Sequence, residues 1–160
     1  MESAVPVVEA AHSVEAIYRS DADRLWRAVF AFAADAEIAS DAVAEAYAQV
    51  LRRGSAVRDP QAWTWRAAFR IASGTLKARR AVPAPAAQPA DYSDRYADPD
   101  LLAALRRLPE GQRAAVVLFY YADLPISQIA QHLGSNGLAV RANLSRGRRR
   151  LRQLLGDDDE

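Results

Sequence analysis

Between residues 141 and 152 the sequence RANLSRGRRRLR carries six arginines, Arg141, Arg146, Arg148, Arg149, Arg150 and Arg152, with no acid among them. Guanidinium groups gathered on one stretch of helix concentrate positive potential where nucleic-acid phosphates approach, and they also make paired hydrogen bonds to guanine edges. Arg141, Asn143, Ser145 and Arg146 lie in the half nearest the expected helix start, the part that reaches base edges, while Arg148 and Arg149 fall where phosphates are gripped. A second basic stretch mixes Trp63, Trp65 and Phe69 with Arg66, Arg70, Lys77, Arg79 and Arg80. Rings that stack on unpaired bases and cations that follow the backbone suit single-stranded or melted DNA, which points to Trp65, Arg66, Arg70 and Lys77 as contacts. Two residues apart on a helix, the tryptophans cannot share one face; Trp63 reads as core, and Trp65 as either a core ring or a stacking platform.

Other chemistry finds little to work with. The chain has no cysteine, which removes disulfides, thiolate metal sites and thiol nucleophiles, and its two histidines, His12 and His132, stand alone without metal-ligand spacing. There is no phosphate-binding glycine loop, and Asp41 with Glu45, four apart on a helix, read more simply as a polar docking face than as a catalytic pair. No catalytic residue, metal or cofactor is expected.

These side chains need helices to hold them. Apolar residues recur every three or four positions at Leu25, Trp26, Val29, Phe30 and at Val43, Tyr47, Val50, Leu51, predicting helices over 14–53, with Asp35 and Asp41 able to begin or support helical turns. Gly54-Ser55 and Asp59-Pro60 interrupt that pattern, and a helix resumes over 61–80. The run AVPAPAAQPA from Ala81 holds three prolines and reads as an extended linker continuing to residue 98. Beyond it LLAALRRL restarts the helical pattern, followed by segments near 110–122, 126–133 and 137–155. Ile126–Leu133, a turn containing Gly134, Asn136 and Gly137, and a helix burying Val140, Leu144, Leu151 and Leu155 have the plan of a helix-turn-helix. The expected fold is all-α: two small helical domains, 10–80 and 99–155, joined by a Pro/Ala-rich linker over 81–98 and ending in a solvated acidic tail, 156–160.

A chain of 160 residues with 51% hydrophobic and 26% charged residues can bury a core, and it is too short for a multidomain enzyme. The formal net charge of +1 hides segregation: residues 1–60 hold ten acids and six bases, whereas 61–80 hold five bases and no acid. MESAVPVVEA lacks a basic start, and no apolar run approaches a membrane span, so a cytoplasmic location is expected.

From Leu105 to Leu155 the sequence resembles the C-terminal promoter-binding domain of bacterial sigma factors, through Leu108-Pro109-Glu110, Gln112-Arg113, Leu124, Ile129-Ala130, Leu133-Gly134, Val140, Leu144 and Arg146. Asp41-Ala42-Val43 with Glu45 and Tyr47 resembles the polymerase-binding helix of the N-terminal sigma domain, and Pro60, Ala62-Trp63, Arg66 and Ala68 resemble the promoter-melting helix that follows. Two such halves with only a linker between them resemble the extracytoplasmic-function (ECF) group of the sigma-70 family. The resemblance implies a sigma factor that docks on core RNA polymerase through Asp41, Glu45 and Gln49. Its minus-ten contacts would be Trp65, Arg66, Arg70 and Lys77, and its minus-thirty-five contacts Arg141, Asn143, Ser145, Arg146, Arg148 and Arg149. Core polymerase, promoter DNA and an anti-sigma protein are the implied partners, with no cofactor and no membrane. A helix-turn-helix regulator and a sigma-like decoy that captures an anti-sigma protein are the alternatives.

Departures from the family pattern fall at contact positions. The recognition helix of the family usually opens Gly-Thr-Val, where this chain has Leu138-Ala139-Val140, and Gly137, one position early, is expected to take over the turn. Ala142 and Asn143 stand where Ser and Arg are common, Arg70 and Gly74 where Asn and Asp are, and Ala44 where Gln is.

Overall fold

The computed structural model describes residues 5–81 and 98–156. Every regular element among them is helical: α1 (Val5–Ala33), α2 (Ala36–Arg53), a short 3-10 turn (Gly54–Ala56), α3 (Pro60–Ala81), α4 (Pro99–Arg106), α5 (Glu110–Val116) running into a π-helical turn (Val117–Tyr121), α6 (Ile126–Leu133) and α7 (Gly137–Leu155). The all-α expectation holds. Most of the linker and the acidic tail lie outside the described residues. None of the described helices is long and apolar enough to cross a membrane.

Local chemistry sets the helix ends. Ala34 takes a left-handed conformation at φ 54°, and Asp35, in extended geometry, caps α2 by accepting a hydrogen bond from the Ile38 N–H at 3.0 Å. The same carboxylate pairs with Arg79 at 2.7 Å, tying the end of α3 to the α1–α2 corner. Burial pushes the Asp35 carboxyl up, but the Ile38 N–H and Arg79 outweigh it and hold the group below the usual range. Asp59 caps α3 through the Ala62 N–H, Asp98 caps α4 with Pro99 in the first position, and Asn136 caps α7 through the Ala139 N–H at 2.9 Å.

The N-terminal helices α1, α2 and α3 pack on one another, and α5, α6 and α7 form the second assembly. Their apolar residues merge into a single buried cluster, from Leu25, Val29 and Val50 to Leu118, Ile129 and Val140. The two halves therefore meet at a seam. Arg106 Nη2 donates to the Ala34 carbonyl at 2.6 Å, Arg66 Nε to the Gln131 carbonyl at 2.8 Å, and Arg113 lies 4.9 Å over the Phe32 ring. Arg113 is almost fully buried, and desolvation is the main force lowering its pKa.

Candidate nucleic-acid interface

α6 ends at Gly134, whose left-handed φ of 62° makes the turn that a residue with a Cβ would resist, and α7 starts three residues later. The expectation that Gly137 takes over this turn is corrected: Gly137 is the first residue of α7, and the turn belongs to Gly134. On its inner face α7 buries Val140, Leu144 and Gly147. A Cβ at Gly147 would come within 2.8 Å of the Val116 side chain, so the missing side chain is what lets α5 and α7 approach.

That packing turns the basic side outward. Arg141, Ser145, Arg146, Arg148, Arg149, Arg150 and Arg152 are all exposed, and among the described residues no carboxylate lies within ion-pair distance of any of these arginines. Arg148 donates instead to the Tyr120 hydroxyl at 2.9 Å. Asn143 departs from its expected place on this face. About 200° round the helix from Arg141, it is half-buried beside Gly111 and lines a cavity of about 460 Å3 at the seam.

On α3 the tryptophans sort in the opposite sense to the simplest reading. Trp63 is half-exposed with Arg53 stacked 5.2 Å away, whereas Trp65 is 1% exposed. Trp65 donates from Nε1 to Asp21 Oδ2 at 2.6 Å, lies under Arg24 and stacks on His132 of α6 with ring centroids 5.9 Å apart. As a base-stacking platform Trp65 is corrected for this arrangement: both faces of its ring have protein neighbours, so no base can lie on it. Arg66 is exposed but bonded across the seam, Arg70 is exposed at the cavity wall, and Lys77, also exposed, sits 3.9 Å from Glu110.

Asp41 and Glu45 are exposed on α2, with Gln49 half-buried beside them. Glu45 accepts from Gln49 at 3.1 Å and from Arg52 at 2.9 Å, hydrogen bonds that lower its pKa. The structure thus leaves this acidic face separate from the arginine face of α7. It also reveals a seam group that sequence reasoning missed, Asp21, Arg24, Arg113 and His132.

Residues 99–151 match the family described as Sigma-70, region 4. The RNA polymerase sigma factor SigV of Bacillus subtilis (strain 168) is 25% identical over 142 residues, covering 84% of this chain and 86% of the relative. The chain thus carries a Sigma-70, region 4 segment and is similar to a sigma factor over most of its length. Two solved structures share the fold of this chain. The sigma factor RpoE in complex with the anti-sigma factor NepR from Bartonella quintana superposes with a TM-score of 0.73 at 19% identity, covering 91% of this chain and 98% of that one. CnrH in complex with the cytosolic domain of CnrY superposes with a TM-score of 0.69 at 18% identity, covering 97% of each. The helix-turn-helix and arginine face of this chain lie almost wholly inside the matched segment. Among its described residues no cluster of three or more His, Asp or Glu could hold a metal ion.

His132 is expected to give the seam a pH dependence. It is 6% exposed with Nδ1 unpartnered; burial and then Arg66 push its imidazole below the ordinary histidine range, with Arg24 acting the same way and Asp59 and Asp21 opposing. The unfolded chain therefore takes up the proton first as pH falls. Stability that depends on neutral His132 is complete above about pH 6.5 and declines below it. The urea midpoint should drop between pH 7.5 and 5.8 in the wild type and stay nearly level in His132→Phe; an equal drop in both would assign the effect to other groups.

Proposed function

We propose that this chain is a sigma factor that delivers core RNA polymerase to promoters by seating α7 in the major groove of the upstream element, while α3 meets the melted minus-ten element. The observation that carries the reading is the arginine face of α7, exposed and without carboxylate partners, on the outer side of a helix-turn-helix. In this reading residues 10–80 and 99–155 act as separate units, α2 docks on the polymerase through Asp41, Glu45 and Gln49, and the protein works in the cytoplasm. RpoE is solved in complex with the anti-sigma factor NepR, and CnrH in complex with the cytosolic domain of CnrY, which supports an anti-sigma protein as a further ligand of this chain.

The seam bears on how the DNA is reached. The two promoter elements are separated by about 25 base pairs, about 85 Å of duplex at about 3.4 Å per pair. Trp65 and His132, one from each half, are 5.9 Å apart. Simultaneous engagement of both elements thus requires the halves to part, which would free Trp65, Arg66 and Arg70 for melted DNA.

Run-off transcription with purified core polymerase and this protein tests the reading, with promoter-dependent transcript as the expected result. DNA binding without transcript would favour a regulator, and capture of an anti-sigma protein without polymerase binding would favour a decoy. Reversing charge at both Asp41 and Glu45 should weaken co-elution with core enzyme while leaving helicity unchanged, since both side chains are exposed; undiminished co-elution would remove α2's acidic face from the docking site.

A further inference from the structure

Leu138, in the first turn of α7, is 78% exposed, the most exposed of the large hydrophobic side chains among the described residues. Its direction follows from the helix. At about 100° per residue, the buried Val140, Leu144 and Gly147 lie about 180–240° round from Leu138, so its side chain points almost directly away from the core. Ser145 and Arg149 lie within about 20° of the same line and Arg141 within about 60°. Leu138 is therefore an apolar group set in the middle of the arginine face, at the end of the helix nearest base edges.

We propose that Leu138 is a specificity-determining residue that reads a thymine in the upstream element through the C5-methyl group. The proposal rests on α7 being the promoter-reading helix. The major groove offers one apolar feature among the four bases, the thymine methyl, and aliphatic side chains select thymine by covering it. A protein partner is the less fitting occupant, because any surface that covered Leu138 would also have to answer the surrounding arginines, and DNA supplies both the phosphates and the methyl. Leu138 and Arg141 are about 4.5 Å apart along the helix axis, close to the rise of one base pair. The thymine should thus lie within one or two pairs of the base that Arg141 contacts.

The test uses the full chain with core polymerase and a duplex library randomised across the upstream element. After the enriched sequence is identified, each thymine in turn is replaced by deoxyuridine, which keeps every hydrogen-bonding group and removes only the methyl. Wild-type binding should fall about fourfold at one thymine, the loss expected for one buried methyl-sized group. Leu138→Ala and Leu138→Gly should bind the thymine and uracil duplexes equally, with other base preferences retained; the site is exposed, so neither change threatens folding. No uracil effect at any position, or one that persists undiminished in both variants, overturns the role of Leu138 alone. Failure of the library to yield any enriched sequence overturns the promoter-reading assignment of α7 and this proposal together.

Discussion

Trp65→Ala will lower the unfolding free energy by about 3–5 kcal/mol, the range for truncating a fully buried large aromatic side chain. Three separate losses combine there. The indole fills space between α3, Arg24 and the α6 side of the seam, and its removal leaves a cavity next to Phe69 and His132. It also withdraws the N–H donor from Asp21, a carboxylate only 6% exposed whose remaining partner is Arg24 at 3.2 Å. Finally it removes one half of the ring stack that links the N-terminal helices to α6. Trp65→Phe separates the terms: most of the packing survives while the hydrogen bond is lost, so a cost of about 1–3 kcal/mol is expected. Urea unfolding of both variants, followed by far-ultraviolet circular dichroism, supplies the measurement. A Trp65→Ala loss under 1 kcal/mol would mean that the ring is not the structural element its burial indicates.

The second large effect concerns DNA. Arg141→Ala should cost about 1–3 kcal/mol of binding to the preferred upstream element, roughly fivefold to 150-fold, and should relax preference at one position, as loss of a paired contact to guanine does. Its guanidinium is exposed in the first turns of α7, with Nη1 near Gly137, and no carboxylate among the described residues competes for it. Arg149 and Arg148 lie about two turns further on, toward the phosphates. Removing either should weaken preferred and scrambled duplexes alike and lower the salt slope by about one unit. A salt series on both duplexes distinguishes the two behaviours. Uniform loss for Arg141→Ala would place that side chain on the backbone as well.

How much of this was readable beforehand varies with the reach of the interaction. The helix positions follow from spacing that acts over three or four residues, and Asp35, Asp59, Asp98 and Asn136 cap helices through N–H groups two or three residues away. The arginine side of α7 was equally legible, because Val140 and Leu144 fix the inner stripe and what lies opposite faces out, although Leu155, read on the same stripe, is 42% exposed. Asn143 was misjudged because its neighbour Gly111 comes from α5, a partner that no spacing within α7 reveals. The π-helical turn at Val117–Tyr121 also departs from the pattern, which gave a continuous helix to 122.

By itself the sequence determined an all-α chain, a helix-turn-helix with an outward arginine face, and the sigma-70 resemblance, since each depends on near neighbours along the chain. Tertiary structure alone decided which tryptophan is inside. Trp63 and Trp65 are about 200° apart on α3, and periodicity shows only that they face different ways. Trp65 is buried because Asp21 of α1 accepts its N–H and His132 of α6, far along the chain, covers its ring. Burial is a property of what packs against a face, and here one partner comes from α1 in the same half and the other from the closing of the two halves on each other.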